Sequence, residues 1–224
     1  MKAVYNIFFK RMEIAELRAI GLNGSNAFWQ GYAKNIVSGY FDNSEAMDKA
    51  AMALDKVGAT GVYFTLNPVN PALLARAVNR LIVPKSTTQD SDIACIRWLP
   101  LDLDPIRPTG ISATNEEVRS AIDLSDKISR WLEEDYGFAR SIRAFSGNGI
   151  HLLYRLPDLP NNQETHDLIV LALESVIDRF KNDKVDIDSK ITNPSRILKY
   201  YGTTSRKGDP TLDRPHRKSF IYAE

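Results

Sequence analysis

Leu99-Pro100-Leu101-Asp102-Leu103-Asp104-Pro105 is the stretch on which the reading of this chain turns. The residues before it continue the apolar run, so Ile93 to Leu103 is predicted as a buried strand. Asp102 and Asp104 stand two positions apart, and on a strand such residues point to the same face. Burying one carboxylate is costly unless it is paired or bound to a cation, and two close together cost more. A strand-borne acidic pair is therefore an economical platform for two divalent metals. Hard Mg²⁺ takes oxygen ligands and keeps its waters for substrate phosphates. The competing reading is that both acids lie at the strand end and form salt bridges with Arg97 or Arg107.

Working outward, Thr114 followed three residues later by Glu117 is a capping box and opens a helix. Val118, Ala121, Ile122, Ser125, Ile128 and Leu132 form its inner face. Ser141 to Leu156 reads as a hairpin folded at Ser146-Gly147-Asn148-Gly149, and Leu168 to Phe180 as an amphipathic helix. Short strands and loops are expected after Lys184. Upstream, Ser44 to Val57 is predicted as a helix with Ala46, Ala50, Ala53, Leu54 and Val57 inward, ended by Gly58. Gly61 to Leu66 reads as a strand, Pro71 opens a helix through Leu81, and Ser86 to Asp92 reads as a mobile loop. Strands alternating with helices and then hairpins predict an α+β (mixed α/β) fold.

Three further features bear on chemistry. In Ser146-Gly147-Asn148-Gly149-Ile150-His151, two glycines allow close backbone approach to a ligand, and their amides can form a nest for phosphate oxygen. His151 follows on the next strand and can donate a hydrogen bond to the same ligand. The plain alternative is an ordinary hairpin turn, and the run does not match the phosphate-binding P-loop. In Val185-Asp186-Ile187-Asp188, either acid could bring a third carboxylate to the first pair, or both could end a surface strand. From Lys190 to Lys218 the chain carries Lys190, Arg196, Lys199, Arg206, Lys207, Arg214, Arg217 and Lys218 against Asp209 and Asp213, with Tyr200 and Tyr201 interleaved. Such a run neutralises phosphates and stacks bases, or is a solvated charged face. Cys95 reads as a buried small hydrophobe.

Composition bounds these readings. The 224 residues are 43% hydrophobic and 25% charged, which excludes a disordered, fibrous or membrane-spanning chain. The N-terminus has no signal-peptide pattern, and one cysteine excludes an internal disulfide and a cysteine-based zinc cluster, so no zinc and a cytoplasmic setting are expected. The net charge of +1 carries no global nucleic-acid signature, so a phosphate-binding surface must be local.

Taken together, the motifs resemble the archaeo-eukaryotic primase superfamily, and within it the primase–polymerase domains of phage, plasmid and CRISPR-associated replication proteins. The order is the acidic pair Asp102 and Asp104, then Ser146-Gly-Asn-Gly-Ile-His151, then Asp188 before Asn193-Pro194-Ser195-Arg196, then Tyr201-Gly202-Thr203-Thr204-Ser205-Arg206-Lys207. Tyr63 to Pro68, with Asn67, and Asn79-Arg80-Leu81 also look like this group, so the likeness covers about residues 60 to 220. The resemblance implies a single catalytic domain over 1–224. It would have an N-terminal α/β unit (1–93) packed on a unit like an RNA-recognition motif (94–224), with the active site in the cleft. It implies that Asp102, Asp104 and Asp188 bind two Mg²⁺ or Mn²⁺ ions, Asp188 being preferred to Asp186 for its place next to the Asn-Pro-Ser-Arg run. It further implies that Ser146, Gly147, Asn148, Gly149, His151, Arg107, Arg196 and Lys207 hold the nucleotide, and that Lys199, Arg206 and Arg217 meet DNA.

The function so implied is DNA-templated nucleotidyl transfer, extending a primer and synthesising primers on single-stranded DNA with dNTP or NTP. Many relatives carry a zinc-binding module, and with one cysteine this chain cannot build the usual one. A helicase or priming domain, in the same or a neighbouring protein, is an expected partner, and the chain reads as an excised domain or a small stand-alone enzyme. No membrane is involved. The rivals are a non-catalytic single-stranded DNA or nucleotide-binding module, which needs no metal, and a metal-dependent nuclease, which needs no triphosphate site. Tyr63 and Tyr154 are candidate sugar-selecting residues.

Overall fold

The computed structural model describes residues 3–223, which divide into two compact units. The first comprises the chain up to Ile96 together with Pro194–Thr204; the second comprises Arg97–Asn193 and the chain from Ser205 onward.

The first unit begins with helix α1 (Val4–Phe8) and a long antiparallel hairpin, β1 (Ala15–Asn26) and β2 (Trp29–Phe41). Sequence reasoning left this hairpin unassigned. Register shifts at Ile20/Leu22 and Gly24/Asn26 break its inside–outside alternation, so the period-2 signal is interrupted. Helix α2 (Ser44–Lys56) follows, capped by the Asn43 side chain, which accepts from the Ala46 N–H. Then come β3 (Gly61–Thr65) and β4 (Leu81–Ile82). With β9 (Ile197–Lys199) they complete a five-stranded sheet in the order β4-β2-β1-β3-β9.

Three expectations are corrected in this unit. The inward stripe of α2 is Met47, Ala51 and Leu54, while Ala46, Ala50, Ala53 and Val57 are only half-buried. Met47 and Leu54 face the core because they remove more apolar area from water, and Ala51 lies on the face between them. Pro71 opens only a short 3-10 turn, Pro71–Arg76, because Asn79 takes a left-handed φ of 47° and bonds Asp42 instead of continuing a helix. The loop expected to be mobile between Ser86 and Asp92 is tied down: Thr88 donates its N–H to buried Glu16, and Asp90 accepts from Ser195.

Phe64 is the hub of the core here, with the Phe8 ring at 5.0 Å and the Tyr200 ring at 6.0 Å. Tyr200 and Tyr201 are therefore core side chains rather than a stacking platform for bases.

The second unit contains β5 (Ile96–Pro105), α3 (Asn115–Tyr136), β6 (Ile142–Phe145), β7 (Ile150–Leu159), α4 (Gln163–Phe180) and β8 (Val185–Ile187). The two-residue strands β10 (Thr204–Ser205), β11 (Arg217–Lys218) and β12 (Phe220–Ile221) come last. The sheet order β12-β6-β7-β5-β8 is the β-α-β-β-α-β split arrangement of RNA-recognition-like domains, with β12 added at one edge. The predicted capping box is present: the Thr114 hydroxyl accepts from the Glu117 N–H while the Glu117 carboxylate accepts from the Thr114 N–H. The hairpin at Ser146 to Gly149 also forms as read, closed by the Ser146 N–H on the Gly149 carbonyl. Cys95 lies just ahead of β5 and is half-exposed rather than buried, since the strand begins one residue later than its position requires. The fold is α+β throughout, and among the described residues no helix is long and apolar enough to cross a membrane.

Candidate active site

The site is built on β5, a central strand of the second sheet with β7 on one side and β8 on the other. Its residues are buried from Ile96 to Leu101, and then Asp102 and Asp104 alternate outward between buried Leu103 and Pro105. β8 runs antiparallel with Asp186 directly opposite Asp104, and the ladder continues where the Asp188 N–H donates to the Asp102 carbonyl at 3.0 Å. Four aspartates thus flank the Leu103–Ile187 pair, Asp104 and Asp186 on one side of it and Asp102 and Asp188 on the other. The Asp188 carboxylate accepts from the Lys190 N–H at 2.9 Å, which fixes the turn after the strand.

His151 enters from β7. It is 3% exposed, and its Nε2 lies 3.5 Å from an Asp102 carboxylate oxygen. Burial pushes the imidazole down to about 4 against the pull of Asp104, with Lys207 adding to the lowering. The ring is therefore neutral near pH 7, with one donor and one acceptor nitrogen. Asp104 meets two cations. Arg107 approaches it at 3.0 and 3.1 Å, and Lys207 Nζ stands at 3.7 Å. The Arg107 guanidinium also donates to the carbonyls of Pro105 and Ile111, and its side chain is 5% exposed, so it braces the 105–111 loop. An open cavity of about 350 Å³ adjoins this place, lined by Asp104, Arg107, Thr109, Asp186 and Lys207 among others.

The glycine turn abuts the acidic strand. A Cβ on Gly149 would stand 2.2 Å from the Leu103 carbonyl oxygen, so only glycine lets the turn lie against β5. Gly147 has φ +105°, and a Cβ there would meet Ser205 at 2.6 Å. The Ser146 hydroxyl spans the turn, accepting from the Gly149 N–H at 3.0 Å. Asn148 is buried and cross-links, accepting from the Ala113 N–H and donating to the Ser205 hydroxyl.

The basic stretch is partly engaged within each unit. Arg217 donates to the Ala113 carbonyl and the Asn115 side chain at the start of α3, and burial lowers its pKa. Arg206 and Lys207 are half-buried. Arg196 and Lys199 belong to the first unit, where Lys199 is buried, donates to the Thr204 carbonyl and lies 5.5 Å over the Tyr63 ring. Asn67 there donates to the Pro194 carbonyl. Tyr154 is a core residue of the second unit, edge-on to Phe138.

The donor set around Asp102, Asp104, Asp186 and Asp188 is all oxygen and suits a hard divalent cation in kind. Among the described residues, no three His, Cys, Asp or Glu side chains are gathered as a ready metal-binding group, and Asp104 is turned to Arg107. Asp186, one of the two third-carboxylate candidates legible in the sequence, is set directly opposite Asp104 by the pairing of β5 with β8.

No protein-family model matches the chain, and no curated protein matches it. Solved structures do. The archaeo-eukaryotic primase domain of the cyanophage S-2L primase-polymerase is 12% identical, covering 98% of this chain and 85% of that one, with a TM-score of 0.53. The polymerase domain of Mycobacterium tuberculosis ligase D, in complex with DNA, is 13% identical, covering 96% of this chain and 77% of that one, with a TM-score of 0.49. The chain has the fold of an archaeo-eukaryotic primase–polymerase domain, in agreement with the resemblance read from its motifs.

Proposed function

We propose that this chain is a DNA-templated nucleotidyltransferase of the primase–polymerase type, which extends primers and synthesises them on single-stranded DNA. The observation that carries the reading is the arrangement on β5. Asp102 and Asp104 share one face beside neutral His151 and cationic Lys207, with Asp188 just past the adjoining strand β8, within a primase-type fold.

In this reading Asp102, Asp104 and Asp188 hold two Mg²⁺ or Mn²⁺ ions. Such ions, when bound, activate the primer 3′-hydroxyl and neutralise the triphosphate. Neutral His151 donates a hydrogen bond to a phosphate oxygen of the incoming dNTP or NTP. Lys207 balances charge on the departing pyrophosphate. Arg107 acts on the nucleotide through Asp104, whose carboxylate it orients. The glycine turn sets the distance of His151 from the acids by packing on Leu103 and Asp104. Arg206 meets the DNA backbone, and a helicase or priming domain is a partner for the whole replication event.

A second reading draws on the Arg107–Asp104 clamp, which already compensates one acid without an ion. It makes the chain a non-catalytic nucleotide or single-stranded DNA-binding module. Labelled-nucleotide incorporation on single-stranded DNA, with and without primer and with Mg²⁺ or Mn²⁺, separates the two. Template-dependent product that disappears in the Asp102→Ala, Asp104→Ala double variant supports the enzyme. DNA binding without product supports the module.

A further inference from the structure

The first unit carries a groove that the catalytic reading does not use. Its volume is about 610 Å³, within the ~300–1,000 Å³ typical of ligand sites. Helix α2 supplies one wall with Ala46, Ala50 and Ala53, small residues at helical spacing. Phe28, at the tip of the β1–β2 hairpin, lines it and is 48% exposed. The charged groups among the described lining residues are Lys49 and Arg80, both exposed cations, with no carboxylate.

This arrangement is built into the backbone. β4 pairs with β2 in parallel, Trp29 opposite Leu81 and Gln30 opposite Ile82, which sets Arg80 beside the hairpin. Gly39 has no Cβ to block the Arg80 carbonyl, which would lie 2.0 Å from one. Asn79 turns the chain with its left-handed φ and is held by Asp42. Arg80 then reaches across to the Gln30 side-chain oxygen at 2.8 Å. The cation is thus positioned at the groove mouth by the fold.

We infer that this groove binds a nucleotide unit of single-stranded DNA, with the base against Phe28 and the alanine wall and the flanking phosphates on Lys49 and Arg80. The inference rests on the nucleotidyltransferase reading only for why a strand would be present. The chemistry favours nucleic acid over an acidic peptide, because a peptide carboxylate would use the cations and leave Phe28 and the flat alanine wall idle. Bases have planar faces for an aromatic ring and a shallow apolar wall, and phosphates recur beside them.

The test measures binding of a labelled oligo-dT to the full chain by fluorescence anisotropy. Phe28→Ala is expected to weaken binding about tenfold. Lys49→Ala with Arg80→Ala is expected to lower the slope of log K against log salt by about 1.4, two contacts at about 0.7 each. Each variant should keep the wild-type thermal melt, since these side chains are exposed. An oligonucleotide with 5-bromodeoxyuridine should photocrosslink to the peptide containing Phe28 or Arg80. The Asp102→Ala, Asp104→Ala variant should bind the oligonucleotide as wild type does, so loss of synthesis there tests the catalytic reading separately. Wild-type binding by the groove variants, crosslinks confined to other peptides, or equal competition by polyglutamate or free dTTP would each overturn the inference.

Discussion

Asp186 stands directly opposite Asp104 across the β5–β8 ladder, and beyond the Leu103–Ile187 pair the Asp188 N–H reaches the Asp102 carbonyl. Two acids of β5, one of β8 and one just past it therefore crowd one end of the sheet. Asp104 is balanced there by Arg107 and Lys207, and Asp102 lies next to a histidine held neutral by burial. A cluster of carboxylates, with Arg107 and Lys207 at Asp104, supplies the oxygen donors that suit hard divalent cations.

Asp102→Asn or Asp104→Asn is expected to lower nucleotide incorporation by about 10²-fold or more, with little change in thermal stability. Asp188→Asn should match that loss and Asp186→Asn should fall short of it. Steady-state incorporation at saturating Mg²⁺, with circular dichroism on each variant, measures both. Equal activity of Asp188→Asn and wild type would remove Asp188 from the proposed set.

Gly149→Ala forces a methyl group into the Leu103 carbonyl, and backbone must move. A cost of about 1–3 kcal/mol is expected, seen as a melting temperature several degrees lower. Because the displaced segment carries Leu103 and Asp104, incorporation should fall as well. A melt identical to wild type would show that the turn does not rest on β5.

Asn148→Ala leaves the Ala113 N–H and the Ser205 hydroxyl without their buried partner. The expected destabilisation is about 1–3 kcal/mol, measured by urea unfolding.

Glu117 links stability to pH. Its burial raises the carboxyl, but the side chain of Arg214 and the Thr114 N–H, with Arg107 adding, more than offset this and hold it below the ordinary range. A depressed folded-state value means that the contribution is present above the unfolded value of about 4.3 and is lost as pH falls through the folded one. Wild type should exceed Glu117→Gln in urea midpoint at pH 7, and the two should converge as pH drops below the ordinary glutamate value. A constant gap across that range would show that the bond to Arg214 carries no titratable stability.

Local signals were legible where one residue pair or one turn carries the structure. The Thr114–Glu117 box, the Ser146–Gly149 turn and the span of α2 depend on neighbours within a few positions, and each is present. The β1–β2 hairpin was not legible, because its bulges break the alternation that marks a strand. The orientation of α2 was misread for another reason. Leu54 is buried as read, but the rest of its face is Met47 and Ala51 rather than Ala46, Ala50 and Ala53; both sets have helical spacing, and only packing chose between them.

By itself the sequence determined the chemical inventory: two acids on one strand face, a glycine turn leading to a histidine, a second pair of acids, and a basic tail. These follow from strand periodicity and turn chemistry, which act over a few residues. The tertiary structure decided what each group faces. It paired β5 with β8 and so set Asp186 opposite Asp104, brought His151 to Asp102 from β7, and committed Arg107, Asn148 and Arg217 to carbonyls and side chains within the second unit. It also divided the run that ends at Arg196, leaving Asp188 in one unit and Arg196 in the other. Such pairings join residues tens of positions apart. They are chosen by the burial of whole sheet faces, a sum over the chain that no local window contains.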